Sequence, residues 1–217
     1  MKNLLLCILS STLLIGCSDM TFGYESAEEY LATVDQKYKI FYQSSNGEAV
    51  KTNRVTGNIR MISNSYESGQ GVITFSLPVT EVYSGMFSNC TKLTSVTLPY
   101  GAKKISDNAF SGCTYLTDVN LPDQISVLGY NAFRGCMRLI EITLPRSMKQ
   151  IEAMAFQECI SLTAIYCKAE TPPTGGERMF IGNSADRYIY VPRASVELYK
   201  EAQYWRDYAE RIVGYDF

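Results

Sequence analysis

The chain contains no histidine among its 217 residues. That absence removes the commonest general base, and with it every Ser-His or Cys-His nucleophile pair. It also takes the imidazole half of most zinc sites away, and no C-x-x-C pair is present to supply a thiolate half. A phosphate-binding glycine loop is lacking as well. Lysine and arginine total 20 against 22 acidic residues, a formal net charge of −2, and no basic run stands out. Nucleic-acid binding therefore has no electrostatic footprint. Carboxylate chemistry is what remains for catalysis, and neither a cofactor nor a metal is expected.

Long apolar runs are also missing. The first seventeen residues, MKNLLLCILSSTLLIGC, hold one basic residue and an apolar stretch too short to span a bilayer comfortably. They read as a signal peptide over residues 1–16, not a transmembrane helix. Gly16 before Cys17 resembles the lipobox of bacterial lipoproteins, which implies that Cys17 is acylated and becomes the mature N-terminus; ordinary secretion with cleavage nearby is the other reading. Cleavage there leaves 19 basic against 22 acidic residues, a net of −3. Ser18 and Asp19 resemble, in short form, the export signal of surface lipoproteins, which implies a lipid-anchored place on the outer membrane, exposed at the cell surface.

What the chain has in abundance is self-similarity. VYSGMFSNCTKLTSVTLPYGAKK, ISDNAFSGCTYLTDVNLPDQISV, LGYNAFRGCMRLIEITLPRSMKQ and IEAMAFQECISLTAIYCKAETPP superimpose without gaps at a period of 23 residues, starting at Val82, Ile105, Leu128 and Ile151. The columns are Phe87, Phe110, Phe133 and Phe156; Cys90, Cys113, Cys136 and Cys159; Leu93, Leu116, Leu139 and Leu162; Val96, Val119, Ile142 and Ile165. A unit of this size cannot bury its apolar face alone, so the period predicts a solenoid of stacked coils. These residues resemble the BspA-type bacterial leucine-rich repeat, with a consensus near I-x-x-x-A-F-x-x-C-x-x-L-x-x-V-x-L-P. The resemblance implies a right-handed leucine-rich-repeat solenoid with short parallel strands, one-turn helices and a helical C-terminal cap.

Within each unit, strand periodicity turns Leu93, Val96 and Leu98 inward while Ser95 and Thr97 face out. Ala109-Phe110, Ala132-Phe133 and Ala155-Phe156 supply the opposite wall on a short helical turn. Pro99, Pro122 and Pro145 end the strands. The four in-register cysteines read as a buried ladder of small apolar groups rather than as disulfides or ligands, because stacked side chains run parallel instead of converging.

The expected organisation is a signal peptide (1–16), a lipidated N-terminus and tether (17–37), an N-terminal cap (38–81), four repeats (82–173), and a terminal coil with its cap (174–217). A short helix can start at Ser26. Asn46-Gly47 predicts a hairpin turn after the alternating Tyr38, Ile40 and Tyr42. Residues 71–82 read as a degenerate repeat. The tail from Ser195 to Val213 is helical in composition and resembles the family's cap, with Trp205 as a lid over the last coil.

The leading functional expectation is a non-enzymatic surface lipoprotein that binds an unknown protein or glycan through its outward strip. That strip comprises Asp118, Asn120, Glu141, Thr143 and Tyr166. The resemblance implies the same, since some BspA-type proteins are adhesins. A periplasmic or envelope structural lipoprotein is the alternative. A carboxylate-based glycosidase with Asp118 above Glu141 is the remote one.

Overall fold

A coil of this kind carries apolar residues on two sides and has no second layer to cover them, so burial comes only from stacking. The computed structural model describes residues 35–53, 55 and 58–217, and Lys37–Phe217 cluster as one unit. The signal segment, Cys17 and the helix expected from Ser26 lie outside the described residues.

The unit begins with β1 (Lys39–Ser44), β2 (Met61–Glu67) and β3 (Gln70–Phe75), all antiparallel, in the order β2-β3-β1. Two expectations are corrected here. Asn46-Gly47 does make a turn, with Gly47 at φ +70°, but the residues after it do not pair back as a strand. The hairpin lies instead at Ser68-Gly69, both at positive φ, between β2 and β3. Nor does most of the stretch read as a degenerate repeat join the parallel stack, which takes up only its last two residues, Glu81 and Val82. Its strand β3 runs antiparallel to β1, which caps the first coil by pairing antiparallel with β5 (Leu93–Thr97). The alternation of Ile73 and Phe75 serves either direction of pairing, because side-chain period does not encode strand direction.

From Val82 onward the chain alternates between two faces. The two-residue strands β4 (Glu81–Val82), β6 (Lys104–Ile105), β8 (Val127–Leu128), β10 (Gln150–Ile151) and β12 (Thr174–Gly175) form one parallel sheet. Its register aligns Val82, Ile105, Leu128, Ile151 and Gly175. The longer strands β5, β7 (Asp118–Asn120), β9 (Glu141–Leu144), β11 (Ala164–Cys167), β13 (Tyr188–Pro192) and β14 (Ile212–Tyr215) form the other face. The step from β11 to β13 is one residue longer than the steps on either side, since Ile165 pairs with Ile142 and Ile189, and Ile189 in turn with Ile212.

The third side is built from turns, not from the one-turn helices expected. Alternate amides bond locally and across coils. The N–H of Cys113 donates to Phe110, three residues back, while the N–H of Phe110 donates to Ala132 in the next coil at 2.8 Å. Phe87, Phe133 and Phe156 repeat the inter-coil bond with Ala109, Ala155 and Met179. A helix would direct every amide along its own axis and leave none for the neighbour. Left-handed residues break the helix at matched places, Gly85, Asn108, Asn131 and Met154 on one rung and Asn89, Gly112, Gly135 and Glu158 on another. Glycine and asparagine occupy most of these positions because they adopt that backbone at least cost.

The core follows from this frame. Phe87, Phe110, Phe133, Phe156 and Phe180 are fully buried and stack in one column, with centroids 5.1 to 5.6 Å apart and ring planes 3° to 20° off parallel. Each such contact contributes about 0.5 to 1.5 kcal/mol beyond its buried area. The thiols of Cys113, Cys136 and Cys159 donate to the carbonyls of Phe87, Phe110 and Phe133 in the preceding coil, at 3.0, 3.2 and 3.1 Å. In the last coil Asn183 takes the cysteine position and its amide donates to Phe156 at 2.6 Å.

The tail departs from the long helix its composition suggests. Only α1 (Val196–Glu201) is α-helical; Arg206–Arg211 is a 3-10 turn and β14 extends the sheet. Tyr199 and Trp205 are both fully buried, yet six residues apart they fall on different sides of a helix. The chain bends at Tyr204, at φ +65°, and Trp205 closes the phenylalanine column, 5.9 Å from Phe180, with its indole N–H on the Pro173 carbonyl at 2.7 Å.

Candidate binding site

The outward residues of the longer strands make the candidate site. Alternation buries Val119, Ile142, Ile165 and Ile189 and leaves their neighbours facing solvent. Register then sets columns. Ser95 lies beside Asp118 and Thr97 beside Asn120. Across the next pair, Glu141 lies beside Ala164 and Thr143 beside Tyr166. Tyr166 lies in turn beside Tyr190.

These two halves are not one continuous ladder. β7 belongs to the sheet that ends on it, β2-β3-β1-β5-β7, and β9 starts a second sheet, β9-β11-β13-β14. The expected column of Ser95, Asp118, Glu141 and Ala164 is therefore interrupted in its middle. Adjacent like charges destabilise a strand pair, and the interruption falls between Asp118 and Glu141. A groove of about 580 Å³ lies over this place. Asp118, Asn120, Glu141 and Thr143 all line it, joined by Asp123 and Lys168. Four of the five predicted strip residues thus share one hollow.

Tyr166, the fifth, borders a second hollow of about 330 Å³ with Thr143, Lys168, Tyr215, Asp216 and Phe217. Thr143 and Lys168 line both hollows, so the two are contiguous. The Tyr166 and Tyr190 rings stack with centroids 4.7 Å apart. Tyr215 stands across them at 65° and 72°, 5.4 and 5.6 Å away. Partial burial, then the neighbouring Tyr190, Glu141 and Tyr215, raises the Tyr166 hydroxyl above its ordinary pKa. It therefore remains a neutral donor at neutral pH.

Sequence reasoning missed Tyr190, Lys168, Asp123 and the terminal Tyr215-Asp216-Phe217. Tyr190 had a usable signal, because it continues the Tyr166 column once the longer step from β11 to β13 is allowed for. Tyr215 had none, since its position depends on where the cap bends. Among the described residues, no group of three or more His, Cys, Asp or Glu side chains is arranged to hold a metal ion.

The model of the BspA type leucine rich repeat region matches residues 80–202 in six copies. Among solved structures, a leucine-rich repeat protein of T. pallidum is 28% identical with a TM-score of 0.50, over 64% of this chain and 63% of that one. A leucine-rich repeat protein from Bacteroides ovatus is 24% identical with a TM-score of 0.44, over 63% of this chain and 40% of its own. The match thus spans less than two thirds of either protein. No curated protein matches. With more than half of its length covered by the family model, and with the phenylalanine, cysteine and leucine columns stacked coil on coil, the chain belongs to the BspA-type leucine-rich-repeat family.

Proposed function

We propose that this protein is a non-enzymatic, lipid-anchored binding protein of the bacterial cell surface. Its coils wind right-handedly in 23-residue units, the hand that parallel crossovers favour. Acylation at Cys17 tethers it to the outer membrane, and the outward strip holds a protein or glycan ligand in an adhesin-like manner.

The observation that carries this reading is the pair of contiguous hollows along the outward strand face. Repeat proteins bind through such faces because side chains recur in register over a large area, and leucine-rich repeats suit interaction more than chemistry. In this reading Asp118 and Glu141, both lining the larger groove, serve as polar contacts to the ligand.

Three measurements test the parts separately. Full-length protein in detergent, displayed to arrays of host matrix proteins and glycans, should retain a ligand. Joint replacement Asp118→Lys and Glu141→Lys should weaken that capture by about tenfold or more, the scale of losing charged contacts at a binding face. Protease treatment of intact cells should release the repeat domain; full protection would place it inside the envelope and favour the structural alternative. Cys17→Ala should abolish acylation, and continued detergent partitioning of that variant would refute the anchor.

A further inference from the structure

Tyr166, Tyr190 and Tyr215 form a corner, not a flat patch. Tyr190 covers Tyr166 from the β13 side at an interplanar angle of 15°, and Tyr215 rises beside the pair as a wall. The smaller hollow is not lined by Tyr190 and lies toward Thr143 on β9. Tyr215 and Phe217 remain 42% and 40% exposed, with ring centroids 5.1 Å apart. The terminal segment is held by the pairing of β14 with β13, which sets Tyr215 beside Pro192, and Arg193 pairs with Asp216 at 2.7 Å just beyond it.

We infer that this corner is a saccharide subsite, with an aromatic floor and wall for one pyranose ring and a mixed polar rim for its hydroxyls. The inference rests on the binding role proposed above and names its ligand class. A pyranose presents a face of C–H groups and an edge of hydroxyls, each both donor and acceptor. The corner matches that pattern. Tyr166 and Tyr215 offer ring surfaces, Asp216 an acceptor, Lys168 a donor and Thr143 a group that is both.

Competing ligands fit less well. An apolar peptide side chain would bury the Lys168 ammonium and the ion pair of Arg193 and Asp216 against hydrocarbon, which costs free energy and adds no polar partner. A cationic peptide would find Asp118, Asp123 and Glu141 in the larger groove, but it would meet the Lys168 ammonium at the junction and gives no role to the tyrosine corner beyond it. A volume of about 330 Å³ lies at the small end of the range of ligand sites and suits one sugar ring. Because Thr143 and Lys168 also line the larger groove, further sugar units extend from the corner over Glu141 and Asn120, where hydroxyls find acidic and amide partners.

The test uses the full-length protein and a panel of defined neutral oligosaccharides, namely cello-, xylo-, manno- and malto-oligomers and N-acetylglucosamine oligomers. Binding is measured by calorimetry and by NMR ring-current shifts of the sugar C–H protons. One of these series should bind, with C–H protons on one sugar face shifted upfield. Tyr166→Ala and Tyr215→Ala should each weaken it about tenfold or more, whereas Tyr166→Phe and Tyr215→Phe, which keep the rings, should stay within about threefold. The NMR shifts need no variant, so they stand even if Tyr215→Ala loosens the tail. Retention of a protein ligand that is lost with Asp118→Lys and Glu141→Lys, together with no saccharide binding, would overturn the sugar subsite and leave the wider binding role intact. Failure to bind any protein or saccharide would overturn both. Saccharide binding that ignores loss of both rings would place the subsite elsewhere and overturn the corner.

Discussion

The thiol of Cys136 donates to the carbonyl oxygen of Phe110, 3.2 Å away and one coil earlier. The same carbonyl accepts the N–H of Cys113 at 3.2 Å, so local turn and stacked coil share one acceptor. A cysteine here is a small side chain whose weak donor meets a buried carbonyl, which explains the column without invoking redox chemistry.

Burial raises the pKa of the Cys90, Cys113, Cys136 and Cys167 thiols. Cys90 is pushed up to about 11 by desolvation, as is Cys167 despite its contact with the Tyr199 hydroxyl at 3.2 Å. A raised folded-state pKa means that, between the unfolded value near 9 and about 11, the unfolded chain has lost protons the native chain keeps. Stability should be flat through neutrality and fall as pH rises across that window. Urea midpoints from pH 7 to 11 check this, and a rise instead of a fall would contradict the burial. Iodoacetamide should likewise modify the native thiols slowly and the denatured ones completely without reductant.

The stacked column predicts a large cost for losing one ring. Phe110→Ala or Phe133→Ala should destabilise by about 3 to 5 kcal/mol, because the fully buried site leaves a cavity between two coils. Thr143→Ala, on the outward face, should change stability by no more than about 0.5 kcal/mol. Equal shifts of the urea midpoint for the two classes would mean that inward and outward faces had been exchanged.

At the C-terminal end, Trp205→Ala should expose the end of the column and cost about 3 to 5 kcal/mol. Tyr199→Phe removes the hydroxyl that donates to the Ala169 carbonyl at 2.7 Å, leaves that buried acceptor unmet, and should cost about 1 to 3 kcal/mol. Hydrogen exchange should locate the loss in β11 and β13 before it reaches β5. Uniform acceleration throughout would argue against an end-specific role.

At the N-terminal end, Gly71→Ala is expected to be severe, since a Cβ at that position would stand against the Tyr42 ring. That ring's hydroxyl donates to Asn64 at 2.6 Å and accepts the Val50 N–H at 3.2 Å, so moving it unpairs a buried network. Loss of cooperativity in the first part of the thermal transition would report this, and a wild-type melt would refute it.

The parts of the fold that could be read from sequence are those governed by repetition. Phe110 and Phe133, or Val96 and Val119, are inward for the same reason in every coil, so the columns survive without knowledge of the rest. The caps follow no such rule. Ile73 and Phe75 alternate as well in an antiparallel strand as in a parallel one, and Trp205 dictates a bend that helix-forming neighbours do not announce. For the binding face, Asp118, Asn120, Glu141 and Thr143 were visible as outward residues. The interruption between β7 and β9 was not, because nothing in columns of identical spacing marks which rung is left open. Tyr215 joined the site only once the tail had folded back.

The longer step from β11 to β13 bears on chain length. Leu144 pairs with Cys167, but Gln150 pairs with Thr174, so the additional residue is absorbed between those two rungs, at the Pro172-Pro173 corner. Both sheets continue past it, and the aromatic column absorbs it as a slightly wider, more tilted contact between Phe156 and Phe180, 5.6 Å and 20°. Corners of this kind are where the architecture accommodates a change in chain length, whereas a single residue added inside a strand would turn every following side chain to the opposite face.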